Sequence, residues 1–135
     1  MITTWENYMQ KQPKILIADD THPIRHMIKI MLMNAGFTDL DEAENGLKVL
    51  EKLKKDCFSL VICDWDMPRM DGLEVLRNMR ADESLAKIPF VLLTGAAEAD
   101  KVAIAIKAGV DDYITKPIKP DNLAKRVKGL LNNRT

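Results

Sequence analysis

Short apolar runs alternate along this chain with segments in which apolar residues recur at helical spacing. The first run occupies residues 14–18 and predicts a buried strand. After it, apolar residues follow the i, i+3, i+4, i+7 pattern of a helix with one buried face, at Ile24, Met27, Ile28, Met31, Leu32 and Ala35. Pro23 suits the first turn of this helix and Gly36 its end. We therefore predict a strand, a loop and a helix, in that order.

The same alternation continues toward the C-terminus. The predicted strands occupy residues 14–18, 39–43, 58–63, 89–93 and 110–114. The later helices are predicted at residues 45–54, 73–80 and 97–108, and a last one begins at Pro120 and carries Leu123, Val127, Leu130 and Leu131. Continuous apolar strands joined by helices are typical of a parallel sheet with both faces covered. The predicted fold class is therefore α/β, a doubly wound sheet of five parallel strands.

Length and composition fit a single domain. A chain of 135 residues, 47% hydrophobic and 30% charged, is long enough to bury a core of its own. We assign residues 14–131 to this domain, residues 1–13 to an N-terminal arm and residues 132–135 to a tail. The arm is either loose or docked through Trp5 and Tyr8, and the sequence leaves both possibilities open. No effector domain is expected in the tail.

Charge and cysteine content argue against several classes of protein. Twenty Lys and Arg residues balance twenty Asp and Glu residues, so the basic surface typical of nucleic-acid or membrane-surface binding is not expected. Cys57 and Cys63 fit neither a disulfide framework nor a zinc motif, which favours a reducing compartment. No apolar run approaches the roughly 18 residues of a membrane span. We expect a cytoplasmic protein that binds neither nucleic acid nor membrane.

Polar residues follow four of the predicted strands. Asp19 and Asp20 come after the first strand, Asp64 after the third, Thr94 after the fourth and Lys116 after the fifth. The carboxyl ends of parallel strands share one edge of the sheet, so these side chains should lie close together. Three carboxylates in one place repel one another unless a cation neutralises them. Oxygen ligands favour a hard divalent ion, and we predict magnesium, with manganese as a substitute.

With such a cation in place, Asp64 could act as a nucleophile toward phosphorus and form an acyl phosphate. Lys116 would supply a positive charge, while the Thr94 hydroxyl and neighbouring N–H groups would hold the phosphoryl oxygens. We therefore interpret Asp64 as a phosphorylation site.

Four segments resemble the signature segments of the response regulator receiver domains of two-component signalling. They are residues 17–20 (IADD), 61–72 (VICDWDMPRMDG), 92–96 (LLTGA) and 111–117 (DDYITKP). The similarity extends over residues 14–131 and includes every key position in the right order. Within the family, the chain looks like the CheY-like, chemotaxis-type regulators that consist of a single domain.

The resemblance implies a fold and the roles of several residues. The family has a flavodoxin-like sheet with strand order 2-1-3-4-5. Asp64 matches the family's phosphoacceptor, and Lys116 matches its phosphate-contacting lysine. The peptide bond between Lys116 and Pro117 matches one that is usually cis in the family. Thr94 matches the family's hydroxyl and Tyr113 its aromatic ring, and both of these groups change position when the protein is phosphorylated. We expect the phosphoryl group to draw the Thr94 hydroxyl toward it, which lets Tyr113 turn inward.

The resemblance also implies a metal site. Asp19, Asp20 and Asp64 match acidic ligands, and the backbone carbonyl of Asp66 matches the group that completes the metal shell. Two positions depart from the usual pattern, because Asp66 adds a carboxylate near the phosphoryl group and Ala96 offers no polar side chain. Both border the path of attacking water, so the lifetime of the phosphorylated state is left open.

The expected function is that of a phosphorylation-activated switch. A sensor histidine kinase would donate the phosphoryl group to Asp64, and the activated protein, a monomer, would contact the flagellar motor switch or another effector. We do not expect an enzyme, because self-phosphorylation and self-dephosphorylation of Asp64 would be its only chemistry. An alternative role is that of an intermediate phosphate carrier in a phosphorelay.

The sequence allows three other interpretations. Asp64 and Asp66 imitate the DxD motif of haloacid-dehalogenase phosphatases, although that family places its nucleophile after the first strand. A flavodoxin-like phosphate-binding module would need small residues after the first strand, where this chain has carboxylates. His22 and His26 lie one helical turn apart, a spacing that can bind zinc, but solvent-facing histidines explain it as well.

The helix predicted at residues 97–108 contains more apolar residues than one buried face requires. At about 100° per residue, Ile104 and Ala108 share one face, and Val102 and Ile106 lie nearly opposite. We expect Ile104 and Ala108 to face inward, which leaves the other two residues exposed. The predicted partner surface consists of Val102, Ile106 and Tyr113.

Overall fold

The computed structural model describes residues 12–95 and 99–132 of the chain. Its strands are β1 (Lys14–Ala18), β2 (Asp39–Ala43), β3 (Leu60–Asp64), β4 (Phe90–Thr94) and β5 (Asp112–Thr115). Its helices are α1 (His22–Asn34), α2 (Gly46–Lys55), α3 (Gly72–Ala81), α4 (Ala99–Ala108) and α5 (Pro120–Asn132). Outside the described residues lie most of the predicted arm with Trp5 and Tyr8, most of the predicted tail, Ala96, and the first two residues of the helix predicted at 97–108.

The five strands form one parallel sheet in the order β2-β1-β3-β4-β5. This result confirms both the predicted fold class and the predicted strand order. Side chains alternate across the sheet, so that in β1 Leu16 and Ala18 belong to one buried cluster and Ile15 and Ile17 to the other. Helices α2, α3 and α4 cover the first cluster, and α1 and α5 cover the second. Burial on both faces explains why the strands are continuous apolar runs.

Strands β3 and β4 each end one residue later than predicted, and β5 begins later. Asp64 and Thr94 are the last residues of their strands, because the parallel ladder continues through the pairs Asp64–Leu93 and Thr94–Thr115. Val110 is not yet in β5, since its N–H donates to Ala105 of α4 and so closes the end of that helix. The two polar side chains at the site are therefore held by the sheet itself.

Side-chain caps fix where α2 and α3 begin. The Asn45 side chain accepts a hydrogen bond from the N–H of Lys48 at 2.9 Å. The Asp71 side chain accepts one from the N–H of Glu74 at 2.9 Å, and the Glu74 carboxylate accepts one in return from the N–H of Asp71. Such reciprocal capping satisfies N–H groups that a helix start leaves unpaired. None of the described helices is long and apolar enough to cross a membrane.

The rotation of α4 about its axis differs from the prediction. Ala105 is the buried residue of this helix, whereas Ile104 is 40% exposed and Ile106 is 65% exposed. The inward face runs through Val102, Ala105 and Ala108, and the last of these packs on the core at partial burial. Because Ile104 is one residue away from this face, it is turned outward by about 100°. The expectations that Ile104 faces inward and that Val102 is exposed were wrong, because Val102 lies on the inward face at partial burial. The expected exposure of Ile106 is observed.

Candidate functional site

Carboxylates from two neighbouring strand ends meet at the carboxyl edge of the sheet. Asp19 and Asp20 follow β1, Asp64 ends β3, and one carboxylate oxygen from each lies within 4.8 Å of the others. The pairing of Ala18 with Cys63 in adjacent strands sets this proximity. Asp19 and Asp64 are buried, whereas Asp20 is exposed. The three predicted acids therefore form one cluster that is open to solvent at Asp20.

The loop between β1 and α1 holds Asp19 in a fixed orientation. Its Oδ1 accepts hydrogen bonds from the backbone N–H and the hydroxyl of Thr21, at 2.9 and 3.0 Å. The Asp19 carbonyl oxygen accepts a further hydrogen bond from the Arg25 guanidinium at 2.8 Å, and Arg25 also pairs with Glu42. The contact of Arg25 was not predicted from the sequence, because only the folded loop brings α1 back onto residue 19.

Lys116 reaches the acidic cluster from the loop that follows β5. Its Nζ lies 3.1 Å from Oδ1 of Asp64 and 3.7 Å from Oδ2 of Asp19. The Lys116–Pro117 peptide is cis, as the resemblance implied. The N–H of Lys116 donates to the carbonyl oxygen of Thr94 at 2.8 Å, and Thr94 is buried. The main chain thus brings Lys116 and Thr94 to the same edge of the sheet as Asp64.

Charge and burial act against each other at Asp64. Burial raises the pKa of its carboxyl to about 6, Lys116 opposes this rise, and the negative charge of Asp19 reinforces it. For Lys116, burial disfavours the charged amine, but Asp64 and Asp19 together raise its pKa above the usual value. One lysine does not balance three carboxylates. The cluster therefore has an excess of negative charge that a cation would neutralise.

The donor set of this cluster fits a hard divalent cation. Oδ2 of Asp19 is buried and has no hydrogen-bond partner among the described residues, since Lys116 at 3.7 Å is too distant. Such a buried oxygen is unfavourable unless something satisfies it, and a metal ion would do so. All the ligands are oxygens, which suits Mg²⁺. The exposed carboxylate of Asp66 is not part of this group.

Close packing against α3 fixes the backbone at Asp64. A Cβ atom at Gly72 would lie 2.3 Å from the carbonyl oxygen of Asp64, so only glycine fits there. The Gly72 N–H donates to the Trp65 carbonyl oxygen, and the Trp65 N–H donates to that of Leu93, both at 2.8 Å. The thiol of the buried Cys63 donates to the Asp64 carbonyl at 3.4 Å, and burial raises its pKa well above the usual value.

The three residues of the predicted partner surface lie around one groove. Val102, Ile106 and Tyr113 line a groove of about 440 Å³, together with Asn122 and Arg126 of α5. Val102 is half-buried and Ile106 is exposed. The Tyr113 hydroxyl is buried and has no hydrogen-bond partner within residues 12–95 and 99–132. The expected inward turn of Tyr113 would therefore start from a side chain whose hydroxyl is already buried.

His22 and His26 lie apart from the acidic cluster. Their rings stack with a centroid distance of 6.0 Å on the exposed side of α1. In the described part of the chain, the only group of three or more candidate metal ligands consists of Asp19, Asp20 and Asp64. The structure therefore gives no support to a zinc site at the two histidines.

Comparisons with known proteins identify relatives over most of the chain. The family described as response regulator receiver domain matches residues 15–128. Chemotaxis protein CheY-3 of Vibrio cholerae serotype O1 is 39% identical over 122 residues, which cover 90% of this chain and 94% of that protein. Chemotaxis protein CheY of Pseudomonas aeruginosa is 38% identical over 115 residues, which cover 85% of this chain and 93% of that protein.

A solved structure shares the fold. The signal receiver domain of a signal transduction histidine kinase from Syntrophus aciditrophicus superposes with a TM-score of 0.84 at 34% identity. The match covers 91% of this chain and 94% of that one. The similarity therefore extends over most of the chain.

Proposed function

This chain belongs to the response regulator receiver domain family, whose CheY-type members are phosphorylation-activated switches of two-component signalling, and we propose that Asp64 is its phosphoacceptor. Such proteins act in signalling and are not enzymes in the usual sense. One observation carries the proposal: the 3.1 Å ion pair between Lys116 and Asp64 lies inside a cluster with Asp19 and Asp20. A buried carboxylate beside a cation and further metal ligands suits phosphoryl transfer.

The proposed step is an attack by a carboxylate oxygen of Asp64 on the phosphorus of a donor. A bond forms between this oxygen and phosphorus, and the bond from phosphorus to the donor atom breaks, leaving its electron pair on the donor. Lys116 favours the ionised, nucleophilic form of Asp64 and then neutralises charge on the transferred group. Attack of water on the phosphorus of the acyl phosphate breaks the bond to Asp64, which releases inorganic phosphate and returns the carboxylate. Self-phosphorylation and self-dephosphorylation are thus the only chemistry proposed.

Asp19, Asp20 and Asp64 are the proposed side-chain ligands of the metal, and the backbone carbonyl of Asp66 is the proposed fourth ligand from the protein. The family binds Mg²⁺ at an acidic site, and the unpartnered oxygen of Asp19 supports the same assignment here. Mn²⁺ would substitute, because it also takes oxygen ligands. When bound, the ion supplies positive charge that offsets the carboxylates and the phosphoryl oxygens.

Thr94 and Tyr113 are the proposed route from Asp64 to the surface. Thr94 ends β4, and Tyr113 pairs with Leu92 in the same strand ladder. A movement of the Thr94 side chain toward the phosphoryl group would change the space beside the buried Tyr113 hydroxyl. The groove formed by Val102, Ile106 and Tyr113 would then change shape. This groove is the surface that we propose for a downstream protein.

The proposed setting is a cytoplasmic monomer with a receiver domain at residues 14–131 that takes its phosphoryl group from a sensor histidine kinase. The two chemotaxis relatives support a chemotaxis output, with the flagellar motor switch as the downstream protein. A second candidate is a phosphate carrier in a phosphorelay, because the similar solved domain belongs to a histidine kinase. Transfer of the phosphoryl group from Asp64 to a histidine-containing protein would favour this second role.

Intact-mass measurement after incubation with Mg²⁺ and acetyl phosphate tests the phosphoacceptor. We expect the mass of one phosphoryl group to be added to the wild type and nothing to be added to Asp64→Asn, because the amide is not a nucleophile. Chelation of the metal should abolish the adduct in the wild type. Asp66→Asn serves as the control for loss of an exposed carboxylate in the same loop and should still form the adduct. An equal adduct on Asp64→Asn would contradict the assignment.

A further inference from the structure

Lys101 in the first turns of α4 contacts the residue that follows Asp64. Its Nζ lies 5.1 Å from the centroid of the Trp65 ring. This distance is within the range of about 6 Å at which an ammonium group is attracted to an indole face, and indole is the strongest aromatic partner for a cation. Trp65 is 7% exposed and Lys101 is half-buried, so both groups are partly shielded from water. The geometry is that of a cation–π contact.

The Trp65 end of this contact belongs to the rigid part of the proposed phosphorylation site. The backbone N–H of Trp65 bonds to β4 through Leu93, and its carbonyl oxygen bonds to α3 through Gly72. Gly72 in turn lies against the carbonyl of Asp64 without room for a Cβ atom. The main chain at Trp65 is thus tied on both sides, and Lys101 attaches α4 to a fixed neighbour of Asp64.

The other end of α4 is anchored much more strongly, by Arg80 of α3. The Arg80 guanidinium donates to the carbonyl oxygen of Gly109 at 3.0 Å and pairs with the carboxylate of Asp111 at 2.7 Å. It also donates to the carbonyl oxygens of Ala86 and Ile88. Several charge-assisted hydrogen bonds from one guanidinium make a firm connection. The C-terminal end of α4 is therefore held in place from α3 and the loop before β4.

Between its two ends, α4 packs on the core through small side chains. Ala105 is the buried residue of this helix in the described part of the chain. Its first residue, Ala99, follows Thr94 by five positions in the chain, so the amino end of the helix is the end nearer in sequence to Thr94. The contact between Lys101 and Trp65 therefore lies toward the end of α4 that is nearer in sequence to Thr94, opposite the end held by Arg80.

We propose that Lys101 is a positioning residue whose contact with Trp65 holds the amino end of α4 in the arrangement seen here, in which Asp64 pairs with Lys116, and thereby opposes activation. This inference rests on the proposed function of Asp64. An interaction made in only one of two arrangements shifts their equilibrium toward that arrangement. Removing it should shift the equilibrium toward the arrangement that the phosphoryl group favours, and should therefore tighten the binding of a phosphoryl mimic.

Calorimetric titration with beryllofluoride in saturating Mg²⁺ measures this effect without any partner protein. We expect Lys101→Met to bind beryllofluoride about three- to tenfold more tightly than the wild type, the scale of one partly shielded cation–π contact. Lys101→Arg should behave like the wild type, because a guanidinium also stacks on an indole. Lys107→Met removes the same charge from an exposed position of the same helix and should leave the affinity unchanged.

Fluorescence of Trp65 supplies a second readout that a general loss of stability would not produce. With Trp5→Phe as background, Trp65 is the single tryptophan of the chain. We expect Lys101→Met, but not Lys107→Met, to change its emission before beryllofluoride is added. The emission change caused by beryllofluoride should then be smaller in Lys101→Met than in the wild type, because the contact is already absent.

The outcomes separate this inference from the proposed function. A wild type that binds no beryllofluoride and forms no phosphoryl adduct would contradict the role of Asp64 and, with it, the premise for Lys101. If the wild type binds beryllofluoride and forms the phosphoryl adduct, either of two results would overturn the role of Lys101 alone. The affinity of Lys101→Met for beryllofluoride could equal that of Lys107→Met, or it could be weaker than that of the wild type. Loss of a positive charge by itself weakens the binding of an anion, so tighter binding by Lys101→Met supports the proposal.

Discussion

The carboxyl group of Asp64 has a pKa of about 6 because it is buried, and the charge of Asp19 adds to this effect. In the unfolded chain, an Asp side chain titrates near a pKa of about 4. Between these two values the folded protein keeps a proton that the unfolded chain has lost. The free energy of unfolding therefore falls as the pH rises through this window, by the linkage between proton binding and stability.

Asp64→Asn removes this titration and should be relatively more stable at high pH. In metal-free buffer, we expect the free energy of unfolding of Asp64→Asn, relative to the wild type, to increase by about 2 kcal/mol between about pH 4 and pH 7.5. Urea denaturation at several pH values in the presence of a chelator measures the difference. The exposed Asp66→Asn is the matched control. A difference that does not change with pH would mean that Asp64 does not titrate in this window.

Individual residues of the site differ in how well the sequence predicted them. Asp19, Asp64 and Lys116 were predicted together because each follows or ends a strand, and strand ends of a parallel sheet share one edge. Lys101 and Arg80 were not predicted, because their contacts depend on how α4 lies against the rest of the molecule. Sequence spacing does not reveal contacts that tertiary packing creates between residues far apart in the chain.

At the scale of elements, apolar periodicity predicted every strand and helix within the described residues, and the errors concern the ends of elements and the rotation of α4. Strands β3 and β4 extend to Asp64 and Thr94, because hydrogen bonding to a neighbouring strand continues past the last apolar residue. The rotation of α4 was not predictable, because this helix carries apolar residues on more than one face. The small Ala105, rather than the larger Ile104 or Ile106, is the buried residue of this helix.

Two glycines in helices give a matched test of the packing at the start of α3. A Cβ at Gly72 would lie 2.3 Å from the Asp64 carbonyl oxygen, whereas nothing lies within 4 Å of one at Gly129 in α5. We expect Gly72→Ala to lower the free energy of unfolding by about 2 kcal/mol or more, because the backbone of Asp64 must shift. Gly129→Ala should raise it by about 0.5–1 kcal/mol, because alanine favours a helix. Chemical denaturation measures both.

The control variant makes the Gly72 result interpretable. Gly72→Ala should also slow phosphorylation by acetyl phosphate, since Asp64 is displaced, while Gly129→Ala should not. If Gly72→Ala is as stable and as reactive as Gly129→Ala, the close approach between α3 and Asp64 does not constrain the site.

At the scale of the whole molecule, the sheet separates two surfaces that each expose an isoleucine. Ile106 on α4 is 65% exposed, and Ile30 on α1 is 45% exposed. Helix α4 packs on one face of the sheet and α1 on the other. The two positions therefore test which face carries the proposed output surface, with the same residue type changed in both cases.

Ile106→Glu should weaken binding of the downstream protein by about tenfold or more, because a charge replaces an apolar contact near the groove of Val102 and Tyr113. Ile30→Glu should bind as the wild type does. Both variants should still form the Asp64 adduct, since neither residue lies in the acidic cluster. The downstream protein is identified as one that binds the wild type only when beryllofluoride is bound. The affinity of each variant for that protein is then measured. Equal binding by Ile106→Glu and Ile30→Glu would place the output elsewhere.

The burial of Cys63 makes this chain suitable for labelling at a single native position. The chain has only two cysteines, and Cys63 is shielded from solvent while Cys57 is exposed. A thiol-reactive dye should therefore attach at Cys57 without any engineered cysteine or removal of a native one. Cys57 precedes β3 and Asp64 ends it, so the dye would be separated from the acidic cluster by the length of that strand, about 17 Å. Immobilisation or single-molecule detection through this thiol would leave the opposite edge of the sheet accessible to donor and metal.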